Sequence, residues 1–242
     1  MLSLGIADCC KELRLSRNIV EMSEKIQAES HQEYLLKLLK SELEHRDACR
    51  KAKLLKSAGF YSVKTFESFR FDEVTLPAAI NPEYLKNCEF IESKTNLVMY
   101  GNVGTGKSHL SIALGVEACK KGIEVKFFRT STLVNKLAES KKKGTLSAFM
   151  KQLNKAKLLI CDEWGYVPLD RTGSQLLFEV ISECYENKSV IINTNIEFSR
   201  WVNVFYDEQM TGAIIDRVLH HCHLLMFPGP SNRMRESSLT QQ

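Results

Sequence analysis

Two rhythms of apolar and polar residues divide this chain. Residues from about 8 to 58 contain no proline, and in HQEYLLKLLKSELEHRDACRKAKLLKSAG the residues Leu35, Leu38, Leu39, Leu43, Leu54 and Leu55 recur mostly at three- and four-residue steps. That spacing predicts helix with one apolar face. Gly59, preceded by Lys53 and Lys56, supplies a stop with cations near the carbonyl end. FYSVKTFESFRFDE is aromatic and irregular and LPAAINPEYL brings two prolines, so this stretch reads as a connector into a second unit.

From Asn96 the rhythm changes. Five β-favouring apolar runs follow (NLVMY, EVKFF, KLLICD, SVIINTN and HLLMF), separated by helix-compatible segments near 107–121, 131–153, 172–187 and 210–220. Continuously apolar strands alternating with helices predict an α/β unit whose parallel sheet is covered on both faces. The expected division is a helical N-terminal domain over 1–66, a larger α/β domain over 67–232 and a polar, flexible tail over 233–242. No internal repeat or low-complexity segment stands out.

Composition adds little beyond this. With 242 residues, 44% apolar and 26% charged, the chain sits in the globular range. A net charge of +4 permits nucleic-acid binding without demanding it, so the placement of charge matters more than its sum. None of the eight cysteines forms a C-x-x-C pair, which removes the usual zinc and thioredoxin-type patterns and fits reduced thiols in a cytoplasmic protein. The start, MLSLGIADCCKELRL, does not resemble a signal peptide, and no apolar run approaches membrane-spanning length.

The chemistry concentrates in GNVGTGKS, which fits G-x-x-x-x-G-K-[ST] from Gly101 to Ser108. Gly101, Gly104 and Gly106 allow the tight backbone turn that points successive N–H groups at phosphate oxygens. The following helix directs its positive dipole end at the same anion. Lys107 reaches β- and γ-phosphates in such a loop, and the Ser108 hydroxyl ligates Mg²⁺. The candidate nucleotide contacts are Gly101, Asn102, Val103, Gly104, Thr105, Gly106, Lys107, Ser108 and His109. For His109 itself, packing or solvent contact is favoured over catalysis. The order G-x-x-G-x-G departs from the dinucleotide fingerprint, so a nucleoside triphosphate is the expected ligand.

KLLICDE then supplies a buried strand ending in two acids. Asp162 is placed to hold Mg²⁺ together with Ser108, and Glu163 to polarise an attacking water. SVIINTN ends in Thr194 and Asn195, and the Asn195 amide is a candidate for orienting that water or the γ-phosphate. Arg217, in MTGAIIDRVLHHC, offers the spread charge that suits a transferring phosphoryl group. With Lys107, these are the candidate catalytic residues.

Taken together, RKAKLLKSAGFYSVKTFESFRFDE, MYGNVGTGKSHLSIALGVEACKKG, LLICDEWGYVPLD, LLFEVISECYE, INTNIEFSRW and AIIDRVLHH resemble the IstB-like ATPases, helper proteins of insertion-sequence transposons and relatives of the DnaC helicase loader within the AAA+ group. The resemblance implies a P-loop AAA+ core with a five-stranded parallel sheet in the order 5-1-4-3-2. It assigns Gly101–Ser108 as Walker A, Asp162 and Glu163 as Walker B, Asn195 as sensor 1, and Arg217 as an arginine finger acting on a neighbouring subunit's ATP. It also implies a homo-oligomeric ring or spiral on DNA. The C-terminal helical lid of many relatives is not evident, which leaves Arg233 and Arg235 as weak candidates for a second sensor.

Two basic clusters are candidates for DNA contact. Arg46, Arg50, Lys51, Lys53, Lys56 and Lys64 face one acid, Asp47, within 45–64, and Lys141, Lys142 and Lys143 adjoin one another. Such charges give salt-sensitive, sequence-tolerant attraction to duplex phosphates. The expected function is an ATP-hydrolysing helper that assembles on duplex DNA and assists a transposase in target selection. A DnaC-like helicase loader is the alternative, and a small-molecule kinase is a weaker one. HHCH at 220–223 carries metal-ligand types, but adjacent ligands across a helix-to-strand transition diverge and no partner cluster is evident, so metal is not expected there.

Overall fold

The computed structural model describes residues 2–235. They form two compact units that part between Lys53 and Leu54, earlier than the 66/67 boundary read from sequence. The reason is aromatic: Phe60, Phe66, Phe69 and Phe71 of the connector pack against the core of the second unit. The tail expected over 233–242 lies outside the described residues from 236 onward.

The helix expected over 8–58 is three helices: α1 (Leu2–Glu12), α2 (Asn18–Lys25) and α3 (His31–Ala58). Arg14 adopts a left-handed conformation after α1 (φ 54), and the Ser30 hydroxyl accepts the Glu33 N–H at 3.1 Å to cap α3, satisfying one of the free donors at a helix start. In the first unit Cys10 and Ile19 are buried. The expected leucine face packs only at its end: Leu54 and Leu55 pack against the core of the second unit, whereas Leu35, Leu39 and Leu43 are exposed and Leu38 is half-buried. Helices of 11 and 8 residues are too short to cover a 28-residue partner, and polar contacts fix what they do cover. The Tyr34 hydroxyl donates to Ser23 O at 2.8 Å. Buried Glu42 accepts the Ser16 N–H, the Ser16 hydroxyl and Arg46 Nε. Burial pushes its carboxyl up, but these donors outweigh burial and hold it below the ordinary range.

The second unit begins with the last turn of α3, closed by Gly59 in the left-handed region (φ +86). Short helices α4 (Pro82–Lys86) and α5 (Glu89–Glu92) precede β1 (Asn96–Gly101). Then come α6 (Lys107–Lys120), β2 (Val125–Arg129), α7 (Thr130–Lys142), α8 (Leu146–Lys155), β3 (Leu158–Trp164), α9 (Arg171–Cys184), β4 (Ser189–Thr194), α10 (Glu208–Leu219), β5 (Cys222–Phe227) and the turn α11 (Asn232–Arg235). All named strand pairings are parallel, in the order β2-β3-β4-β1-β5, which is the expected 5-1-4-3-2 read from the other edge.

Alternation along the strands sends Leu97, Met99, Ile160 and Ile191 to the core under α6, and Val98, Leu159, Cys161 and Ile192 to the core under α7–α10. Helices on both faces bury both sets, which is why the strands read as unbroken apolar runs. Gly115 of α6 is required by that packing, since a Cβ there would stand 2.6 Å from Phe60 and 2.9 Å from Ile160. The helix expected over 131–153 is interrupted at Gly144 (φ +69). The N–H groups of Gly144 and Thr145 turn back to Lys141 O and Ser140 O, the double closure that ends helices at a left-handed glycine. Among the described residues no helix is long and apolar enough to cross a membrane.

Candidate active site

β1 lies between β4 and β5, and its carboxyl end, with the loop that follows, stands at the carboxyl edge of the sheet, where ligands of open α/β sheets bind. The loop turns through Gly104 (φ +80) and Gly106 (φ +101). A side chain at Gly104 would also run into Ser231. Lys107 opens α6 and its Nζ donates to Gly101 O and Asn102 O at 2.7 and 2.6 Å. Thr105 Oγ1 closes the loop on Asn102 O at 2.8 Å, while Val103 projects outward. His109 lines the cavity but also meets Thr65 O at 3.0 Å and the Phe69 ring at 5.5 Å. Its contacts are those of packing against the connector.

The cradle faces a cavity of about 840 Å³ whose lining includes Tyr61, Phe69, Asp162, Glu163, Asn195 and Arg233, a volume in the range of small-ligand sites. Burial lowers the Lys107 ammonium to about 8, with Arg233 acting in the same direction and Asp162 against it. An arriving polyanion reverses this by favouring the charged form. Triphosphate binding is therefore expected to take up protons increasingly between about pH 7 and 9. Calorimetry in buffers of different ionisation enthalpy reads this uptake, and Lys107→Arg, which does not titrate there, should remove it.

The acids occupy a break in the strand. Glu163 has φ 55, and the β3–β4 register shifts between Cys161 and Trp164. Such a bulge re-aims side chains at the cost of local strain. Asp162 stays buried while Glu163 is exposed. Asp162 Oδ1 accepts from Ser108 Oγ at 2.8 Å, the Glu163 N–H at 3.0 Å and Asn193 Nδ2 at 2.9 Å. The Ser108 hydroxyl and the Asp162 carboxylate form a hard oxygen pair suited to Mg²⁺. Glu163 lies 3.6 Å from the Arg129 guanidinium, which also stands 5.7 Å over the Tyr61 ring. Burial, followed by the Asp162 charge, pushes the Tyr61 phenol up.

Asn195, the amide expected from the sequence, lines the cavity from beyond the end of β4 and is exposed. The expectation missed Asn193, two residues earlier. Asn193 is 1% exposed, joins Asp162 to Ser111 Oγ at 2.8 Å, and keeps an Oδ1 with no hydrogen-bond partner among the described residues. Its signal was an amide inside a buried apolar strand, which needs a polar counterpart. Arg129 was also missed, because a basic residue ending an edge strand is unremarkable until its neighbour is known. Arg217 is not among the cavity's lining residues; it donates to Ala213 O at 2.9 Å and lies 5.0 Å over the Phe178 ring.

Several basic candidates are engaged locally. Arg46 pairs with Glu42, Arg50 and Lys51 share Asp47, and Lys143 meets Glu139 at 3.9 Å. Lys53, Lys56, Lys141 and Lys142 are exposed.

The model of the IstB-like ATP-binding proteins matches residues 10–240. The chain belongs to that family. It is 34% identical to a putative ATP-binding protein of insertion sequence IS232 from Bacillus thuringiensis subsp. berliner, over 84% of this chain and 82% of the relative. It is also 34% identical to the corresponding IS21 protein of Pseudomonas aeruginosa, over 86% and 78%. Among solved structures, the DnaC helicase loader superposes with a TM-score of 0.53 at 23% identity, over 67% of this chain and 96% of that one. AMPPCP-bound DnaA from Aquifex aeolicus gives 0.54 at 22%, over 71% and 52%, so the chain spans about half of that protein. These likenesses show a shared fold. Family membership makes ATP the ligand of this IstB-like chain, and the glycine cradle is the feature that fits its phosphates.

Proposed function

We propose that this protein is an ATP-hydrolysing helper of an insertion sequence, acting on duplex DNA in concert with a transposase. The observation carrying the catalytic part is the convergence of Ser108, Asn193 and the Glu163 N–H on one oxygen of Asp162. In this reading the loop N–H groups and Lys107 bind the β- and γ-phosphates. Ser108 and Asp162 would hold Mg²⁺, which when bound supplies charge neutralisation on the phosphate oxygens. Asn193 holds Asp162 in orientation through its Nδ2 donation to Oδ1. Glu163 takes the proton of the attacking water, and Asn195 at the rim of the cavity is the candidate to orient that water. Arg217, outside its own chain's cavity lining, would complete the site of a neighbouring subunit in a ring or spiral.

The ion pair with Arg129 restrains Glu163 from acting as a base. Because both groups are about half exposed, the pair contributes no more than about 1 kcal/mol. Arg129→Ala is therefore expected to raise basal turnover about two- to five-fold, read by phosphate release without DNA.

The relatives at 34% identity are insertion-sequence proteins, which favours a transposition role over that of a helicase loader. Arg46, Arg50, Lys51, Lys53 and Lys56 of the helical N-terminal region, with Lys141, Lys142 and Lys143, are the proposed DNA contacts. The test is ATP turnover with and without duplex DNA across a salt series. DNA should stimulate turnover. Replacing Arg50, Lys51 and Lys53 together with Ala should weaken binding and reduce the salt slope by up to about 3. A slope that stays the same removes these residues from the interface. Arg217→Ala should abolish turnover while ATP still binds, and a variant that turns over normally excludes the trans-acting finger.

A further inference from the structure

The HHCH stretch divides in the fold. Cys222 is half-buried, and His223 sets its ring edge-on to Tyr84 at 5.7 Å. His220 and His221 remain exposed, with ring centroids 4.2 Å apart. The partner that sequence did not reveal is Glu186, in the turn after α9: one ligand atom from each of Glu186, His220 and His221 lies within 4.8 Å of the others. We propose that these three residues form a surface site for a borderline transition-metal ion, with Zn²⁺ the best fit, joining the turn after α9 to the turn after α10.

Three features support a built site. Two imidazoles and one carboxylate match the donors zinc takes in three-ligand sites, whereas Mg²⁺ and Ca²⁺ prefer oxygen alone. At bond lengths of about 2.0–2.2 Å, tetrahedral ligands stand about 3.3–3.6 Å apart. The closure needed is at most about 1.5 Å, within reach of exposed side chains changing rotamer. The Tyr185 hydroxyl meets His220 Nδ1 at 3.1 Å, occupying that nitrogen and leaving Nε2 for the metal, the outer contact that orients ligating histidines.

One buried residue also links the turn after α10 to the start of β4, which follows the turn carrying Glu186. Asn96 donates its N–H to His221 O at 2.7 Å and its side chain to Val218 O at 3.0 Å. Its Oδ1 accepts the Val190 N–H at 2.9 Å at the start of β4. Glu186 itself sits in the left-handed region (φ 56), ahead of N–H groups of Asn187 and Lys188 that both return to Cys184 O. The ligands thus stand on two turns whose backbones are each hydrogen-bonded, one to Asn96 and the other to Cys184 O, which reduces the ordering cost of binding. A fourth tetrahedral position remains for water.

The experiment is titration of the full-length chain with Zn²⁺ by calorimetry, in a Cys9→Ser/Cys49→Ser background that removes the exposed thiols. The expected result is uptake of one ion per chain, insensitive to excess Mg²⁺ and to Lys107→Ala, with affinity falling at least about tenfold in His221→Ala and in Glu186→Gln. Circular dichroism should stay the same in both variants, and His223→Ala should bind as the background does. Absence of stoichiometric uptake, or uptake that survives His221→Ala and Glu186→Gln unchanged, overturns the site.

Discussion

Lys107→Ala is expected to keep its fold and to bind ATP about 100-fold more weakly. The two phosphate contacts of an ammonium are charge-assisted, at about 1.5 kcal/mol each, and about 3 kcal/mol is two orders of magnitude in affinity. Stability should change little. The amine in this structure is partly desolvated, as its lowered pKa of about 8 records, and it gains only two carbonyl contacts in return. Calorimetric titration with ATP and Mg²⁺, beside a thermal melt without nucleotide, checks both halves. Retained affinity would remove the Gly101–Ser108 loop as the phosphate site.

Glu163→Gln is expected to separate binding from turnover. Glutamine preserves shape but cannot accept a proton, and loss of a positioned general base costs about 100-fold or more. ATP affinity should hold, because Glu163 stands apart from the cradle hydrogen bonds and pairs with Arg129 at 3.6 Å. Asp162→Asn offers the contrast. It disturbs the oxygen on which Ser108, Asn193 and the Glu163 N–H converge, so binding in the presence of Mg²⁺ should fall together with turnover. Phosphate release measured beside equilibrium binding distinguishes the pair. Normal turnover in Glu163→Gln would reassign the base.

How far this site could be read in advance depended on distance along the chain. The cradle is contiguous, so its glycines, lysine and serine declare the geometry within eight positions from Gly101 to Ser108. Asp162 and Glu163 were legible as acids ending an apolar run, but not their division of labour. That arises from the positive φ at Glu163 and the register shift beside it, neither of which leaves a periodic trace. Asn195 drew attention as an amide at a strand's end. Asn193, inside the strand, bonds the acid because its strand position turns it toward Ser111 and Asp162.

By itself the sequence determined the elements that local physics dictates. These were the apolar runs of a doubly covered sheet, the phosphate loop between β1 and α6, and a helical N-terminal region. Membership of the IstB-like family follows from the same residues. Tertiary structure decided what depends on long-range pairing. It left Leu35, Leu39 and Leu43 exposed because their covering helices are short, broke 131–153 at Gly144, set Arg129 against Glu163 and brought Glu186 to His220 and His221. Side-chain periodicity records which face of an element is buried, while the identity of its neighbour is set only when strands register and turns close.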